Sequence, residues 1–262
     1  MVAAPIRVAI HGAPGRMGTR LIHLIQADPG LALAAALGRP GHPGLGRDVG
    51  PLVGLPDLGV ALATAVAGPV DVAISFAEPA ATLDFAAACA GAGTPLVVGT
   101  TGFDPATRAE LARFGATIPL LVSPNTSRAV NVLMRLVGEA ARALGEADIE
   151  VVERHHRFKK DAPSGTALRL AEVAAAATGA DRQIHGRSGL TGERPRGEVA
   201  IHALRTGDNP GEHTVVFGLM GECLELTHRA LNRDGFARGA LDAARSLVGR
   251  PAGTYSMIDL LD

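Results

Sequence analysis

The chain has 262 residues, enough for one large domain or two small ones with a substantial core. Its 33 glycines and 17 prolines fall short of the roughly 25–30% that marks low complexity, and 47% of residues are apolar, so repeat peptides, collagen-like chains and disulfide miniproteins are excluded. A net charge of −1, 3% aromatics and no tryptophan provide neither a broadly basic surface nor a base-stacking platform, which argues against a nucleic-acid partner.

Ile6, Val8 and Ile10 begin a short strand. Gly12, Gly15 and Gly18 follow it, and Met17, Leu21, Ile22, Leu24 and Ile25 then recur at helical spacing until Asp28-Pro29-Gly30. Residues 31–37 read as a second strand, 70–76 as a third, 79–92 as an alanine-rich helix and 95–98 as a strand. Asp104-Pro105 supplies an N-cap with proline at the first helical position, and 118–123 is the next strand. Strands separated by helices predict right-handed crossovers and a parallel sheet covered on both faces.

Near residue 127 the pattern changes. Residues 130–144 read as one long helix, 149–156 as a strand, 164–178 as a helix and 179–197 as a polar loop. Segments 198–206, 214–220 and 223–229 alternate apolar and polar residues and read as a meander, one face of which needs cover from the two helices or from another subunit. A final amphipathic helix, 235–248, is expected to pack back on the first domain.

The longest uncharged run, 85–103, is long enough to cross a bilayer. Gly91, Gly93, Pro95, Gly99 and Gly102 break it, so no membrane segment is expected. Residues 1–5 carry no charged leader or apolar stretch, so no secretory signal is expected. Cys89 and Cys223 lie too far apart in sequence for a metal knuckle, and a disulfide between them is left open. A reducing cytoplasm fits this reading.

Gly12-Ala13-Pro14-Gly15-Arg16-Met17-Gly18 sits at the first strand-to-helix turn, where glycines allow close approach of a pyrophosphate and the helix start supplies free N–H groups. The spacing is G-x-x-G-x-x-G, short of the full dinucleotide fingerprint, and the alternative is a plain tight turn. At the end of the second strand, where an acid commonly holds ribose hydroxyls, the chain reads Leu37-Gly38-Arg39. The missing acid and the arginine favour NADPH over NADH; a solvated loop arginine is the alternative. Gly99-Thr100-Thr101-Gly102 ends another strand, where open α/β sheets place ligands.

Residues 153–166, E-R-H-H-R-F-K-K-D-A-P-S-G-T, concentrate cations between a strand and a helix start. A solvated charged face is the ordinary reading of such a run. Here the helix opening at Ser164-Gly165-Thr166 adds N–H groups and hydroxyls, which points to a carboxylate or phosphate site. Imidazole supplies a proton donor and lysine a fixed charge. A zinc site at His155 and His156 is disfavoured because adjacent strand residues face opposite sides, and no metal is expected.

These motifs occur in order with V-V-G-T-T-G-F at 97–103, S-P-N-T-S at 123–127, T-G-E-R at 191–194 and G-E-H at 211–213. Together they resemble the dihydrodipicolinate reductase family, also called 4-hydroxy-tetrahydrodipicolinate reductases, of lysine and diaminopimelate synthesis, over nearly the whole chain. The resemblance implies an α/β fold. An N-terminal Rossmann-like parallel-sheet domain spans 1–126, and a smaller α+β substrate and tetramerisation domain with an open mixed sheet spans 127–233. A C-terminal segment, 234–262, returns to the first domain. It implies hydride transfer from nicotinamide to an unsaturated cyclic imine bearing two carboxylates, with closure of the domains over both ligands. His155 matches the proton donor and Lys159 the second catalytic residue, which holds a substrate carboxylate; His156, Gly165 and Thr166 match substrate-binding positions. Cofactor positions are Gly12, Ala13, Pro14, Gly15, Arg16, Met17, Arg39, Gly99, Thr100, Thr101, Ser123, Pro124, Asn125 and Thr126. A cytoplasmic homotetramer is implied.

Several positions depart from the family pattern. Gly38 replaces a frequent acid, and Ser75-Phe76-Ala77-Glu78-Pro79 stands where D-F-T and a basic residue are common. Thr126 replaces a frequent phenylalanine, and Arg128-Ala129 a small apolar pair. These bear on cofactor choice and closure more than on reaction type. Competing readings are a reductase of another imine or aldehyde and an inactive nucleotide-sensing homologue.

Overall fold

A computed structural model describes residues 4–260. The expectation for residues 1–5 therefore falls partly outside the described residues, as does the end of the segment 234–262. In chain order the elements are β1 (Ile6–His11), α1 (Arg16–Gln26), β2 (Leu31–Leu37), α2 (Val49–Leu52), β3 (Leu62–Ala63), β4 (Val72–Ser75), α3 (Pro79–Ala92), β5 (Leu96–Val98), α4 (Pro105–Arg113) and β6 (Pro119–Val122). They continue with α5 (Arg128–Ala143), β7 (Asp148–His155), α6 (Gly165–Thr178), β8 (Arg182–His185), β9 (Glu198–Arg205), β10 (Glu212–Leu219), β11 (Glu222–Arg229), α7 (Asp234–Leu247) and β12 (Gly253–Tyr255). The chain divides into two compact units, 1–127 with 234–262, and 128–233.

In the first unit the described strands form a parallel sheet in the order β12-β6-β5-β4-β1-β2-β3. Leu21, Ile22, Leu24 and Ile25 of α1 and Ala237, Ala240, Ala244 and Leu247 of α7 pack against Val8, Ile10 and Ile74. The opposite face, with Ala9, Ala73 and Val98, meets Ala86 and Cys89 of α3 and Leu111 of α4. Arg20 donates two hydrogen bonds to Asp234, 2.7 and 2.9 Å, and so ties α1 to α7. Helix α3 starts with Pro79 in its first turn and ends at Gly93, whose φ of 68° only glycine adopts readily.

The second unit holds a mixed sheet in the order β11-β10-β7-β9-β8. Two expectations are corrected here. Segments β9, β10 and β11 are not a meander: β7 is inserted between β9 and β10, running parallel to β9 and antiparallel to β10, so only β10 and β11 form a hairpin. The polar segment 179–197 is not all loop, since β8 pairs parallel with β9 at the sheet edge. One face carries Ile149, Val151, Val199, Ile201, Val215 and Phe217 against Val137 of α5 and Leu170 and Ala174 of α6. The other carries Val152 and Val216, both half-buried, and Glu150, which accepts hydrogen bonds from Arg187 and Arg194.

Among the described residues no helix is long and apolar enough to cross a membrane, and Cys89 and Cys223 are free thiols. Phe217 is fully buried, so Phe217→Ala opens a cavity that the sheet-and-helix sandwich cannot close. Urea denaturation should show a loss of about 3–5 kcal/mol. A loss below about 1 kcal/mol would contradict this packing.

Candidate active site

Two clusters collect the expected residues, one in each unit. In the first, Gly12 has a φ of 85°, and its N–H, with that of Ala13, donates to the Leu37 carbonyl at 3.0 and 2.9 Å. A Cβ at Gly12 would lie 2.9 Å from the Phe76 carbonyl oxygen, and one at Gly99 would collide with the Phe76 ring. Gly15 precedes α1 in an extended conformation, and no acid occupies the first turn of that helix. The chain thus builds a narrow turn that leads backbone N–H groups to a helix start, as a pyrophosphate requires.

A cavity of about 900 Å³ opens at this turn, lined by Gly12, Pro14, Gly15, Gly38, Arg39 and Glu78 among others. The remaining expected cofactor positions are placed differently. Ala13 is fully buried, Arg16 and Thr101 are exposed, and Met17 packs against the core. Thr100 is buried and donates to the Ala77 carbonyl. After β6, the Ser123 hydroxyl donates to the Asn125 carbonyl at 2.7 Å, Asn125 Oδ1 accepts from the Ser127 N–H, and the Thr126 hydroxyl donates to the Phe236 carbonyl. Ser123 and Asn125 shape their own loop, Thr126 ties it to α7, and Pro124 is exposed beside them.

The second cluster starts on β7, where alternation sends Glu153 and His155 to the helix-covered face and Arg154 to the other, where it pairs with Glu212. Glu153 is fully buried and is the hub. Its carboxylate accepts from His155 Nδ1 at 2.6 Å, from the Ser164 N–H at 3.0 Å and from both Arg205 terminal nitrogens at 2.8 Å. Burial opposes its ionisation, yet these donors together hold the carboxyl down at about 2. With Nδ1 committed to a carboxylate, Nε2 is the nitrogen of His155 free to exchange a proton.

Gly211 sits over this nitrogen: a Cβ there would lie 3.0 Å from His155 Nε2, and its φ is 149°. Ser164 caps α6 by accepting from the Ala167 N–H, and its hydroxyl lies 3.0 Å from His213 Nε2. Burial, aided by repulsion from His155, pushes His213 down to about 3, so it is neutral. Lys159 Nζ donates to both oxygens of the exposed Asp161 at 2.9 Å. His156 N–H donates to the Asn209 carbonyl, fixing the segment that leads to Lys159. Gly165 and Thr166 begin α6 beside the Ser164 cap. Sequence reading missed Glu153, Arg205 and His213 as site residues, although E-R-H-H and G-E-H contained two of them.

Residues 6–126 match the family model for dihydrodipicolinate reductase, N-terminus, and residues 129–261 the one for dihydrodipicolinate reductase, C-terminus. The chain belongs to the dihydrodipicolinate reductase family. The 4-hydroxy-tetrahydrodipicolinate reductase of Anaeromyxobacter dehalogenans strain 2CP-1 is 50% identical, covering 97% of each chain. Its counterpart in Thiobacillus denitrificans is 45% identical over 98% of each. A dipicolinate-bound dihydrodipicolinate reductase from Paenisporosarcina sp. TG-14 shares the fold at a TM-score of 0.78 and 23% identity, over 97% of this chain and 98% of that one. The family consists of NAD(P)H-dependent oxidoreductases, and the parallel sheet of the first unit, with helices on both faces, is Rossmann-like.

Glu150, like Glu153, is held at about 2: burial opposes ionisation, but hydrogen bonds from Arg187, His202 and Arg194 prevail. Both carboxyls fall below the ordinary 4.5, so they add stability above that value and lose it as pH drops from 4.5 to about 2. Urea midpoints should fall across this window. Glu153→Gln, which cannot titrate, should show a shallower fall, and an unchanged slope would contradict the buried ion pair.

Proposed function

We propose that this chain reduces 4-hydroxy-tetrahydrodipicolinate to tetrahydrodipicolinate in lysine and diaminopimelate synthesis, with His155 as proton donor and Lys159 as carboxylate anchor. The observation that carries the assignment of roles is the buried Glu153 carboxylate, which fixes the His155 ring through Nδ1 and the start of α6 through the Ser164 N–H. One charged group thereby orients both a proton donor and an anion-binding helix end.

The bound dinucleotide supplies the hydride, through the nicotinamide. The chain's own residues do the rest. The N–H groups at the start of α6 and the Lys159 ammonium offer charge to the two carboxylates of the substrate, and Lys159 exchanges Asp161 for one of them. Asp161 is exposed and in water, so this exchange costs little. Reduction leaves negative charge that a proton must quench, and Nε2 of protonated His155 supplies it while the Nδ1 proton stays on the ring, donated in a hydrogen bond to Glu153. The relatives from Anaeromyxobacter dehalogenans and Thiobacillus denitrificans, 50% and 45% identical, carry the same reductase name, and dipicolinate, a planar dicarboxylate, is bound by the family member from Paenisporosarcina.

Arg39 supports NADPH as the preferred nucleotide. It lies in the cavity at the end of β2, and a side chain at Gly38 would be crowded by Leu62 at 3.2 Å, which leaves no room for a competing acid without a shift. Glu78 in the same cavity narrows that preference. The half-buried Val152 and Val216 on the sheet face away from α5 and α6 support association of the second unit with further copies, as a cytoplasmic homotetramer.

NADPH oxidation should depend on enzymatically generated 4-hydroxy-tetrahydrodipicolinate, and no turnover with it rejects the assignment. His155→Gln and Lys159→Ala should each lower kcat by about 10²- to 10⁴-fold while NADPH affinity stays within a few-fold; loss of nucleotide binding in both variants contradicts their roles. Arg39→Ala should lower kcat/KM for NADPH by about tenfold or more and leave NADH use nearly unchanged. Equal losses with both nucleotides would refute a role in reading the 2′-phosphate.

A further inference from the structure

Beneath the glycine turn four polar side chains, from β1, β4, α3 and the loop after β5, form one hydrogen-bonded chain. The Thr100 hydroxyl donates to the Ala77 carbonyl at 3.1 Å, a group that only accepts. Thr82 Oγ1 lies 2.9 Å from Thr100 Oγ1 and, as each hydroxyl has one proton, donates to it. Ser75 in turn donates to Thr82 over 3.1 Å. Its proton is then spent, so His11 Nδ1, 2.9 Å away, carries a proton and donates to Ser75. Burial pushes His11 down to about 4, so the ring is neutral near pH 7. The direction of the chain therefore fixes one tautomer, with a proton on Nδ1 and a lone pair on Nε2.

That lone pair has no hydrogen-bonding partner among the described residues, and the ring lines the cavity at the glycine turn. His11 packs on Phe85 with centroids 4.5 Å apart, and Ala81, Ala88 and Val66 line the same cavity. Around His11 the wall is apolar, and Nε2 is the acceptor carried by the ring that lines it. A phosphate oxygen would be repelled by the lone pair, and a ribose would leave its hydroxyls against alanine and phenylalanine. A flat aromatic base with an amino group satisfies both the wall and the acceptor.

We propose that His11 reads the base of the dinucleotide, its Nε2 accepting a hydrogen bond from the exocyclic amine of adenine. This rests on the cofactor reading above. Hypoxanthine, with a carbonyl where adenine has its amine, would set one acceptor against another in a buried site, and such sites discriminate strongly. His11 is a specificity residue for the nucleotide and takes no part in the reduction.

The test is the dissociation constant, by calorimetry, of NADH and of its hypoxanthine analogue, measured on the full chain. The wild type should bind NADH about tenfold or more tightly than the analogue. His11→Ala should bring that ratio near one, whereas His11→Gln, whose amide oxygen can accept in place of Nε2, should keep most of it. A wild-type ratio near one overturns the proposal whether or not the variants fold, and so does a ratio preserved in His11→Ala. If the wild type binds neither nucleotide nor NADPH, the cofactor reading itself fails, and this inference fails with it.

Discussion

The second unit is organised around a carboxylate that has no access to water. Glu153 lies on the covered face of a central strand, where an isolated charge would be prohibitively costly, and it is ionised because three kinds of donor converge on it. Each donor belongs to a different structural task. Arg205 ties β7 to its parallel neighbour β9, the Ser164 N–H sets where α6 begins, and His155 is held through Nδ1 so that its second nitrogen is left for proton exchange. Removing any one partner leaves charge uncompensated in a low-dielectric interior, so the geometry of the cluster is held as a unit.

The first unit depends on a different constraint, the space a backbone needs to approach a phosphate. Gly12 and Gly99 both face Phe76 at distances that exclude a side chain, and Gly18 packs its α-carbon against the backbone of the turn. The cavity they border has cationic Arg39 and acidic Glu78 on its rim and an apolar wall from α3. The polar chain from His11 to Thr100 links the ends of β1, β4 and β5, the strand ends at which open α/β sheets receive ligands.

Much of this was legible in the sequence because local chemistry and tertiary structure agree. Pro79 and Gly93 bracket α3 as proline and glycine should, Asp104 and Ser164 cap the helices they precede, and period-two alternation marks β7 and β10. The edge strand β8 was hidden because Arg182, Gln183 and His185 are polar and largely exposed, with no apolar repeat to betray pairing. The position of β7 between β9 and β10 was hidden for another reason: alternation says which face a residue takes but not which strand lies beside it. Glu153 looked like one charge in a run of charges, and only burial distinguishes it. His11 and Thr100 are 89 residues apart, so their connection through Ser75 and Thr82 has no local signature.

The central claim, that Glu153 dictates which nitrogen of His155 is free, is tested most directly by the imidazole ¹⁵N chemical shifts of His155 in the neutral form. With Glu153 intact, the shifts should place the proton on Nδ1 and leave Nε2 bare. Finding the proton on Nε2 would mean that the carboxylate does not orient the ring, and the account would fail.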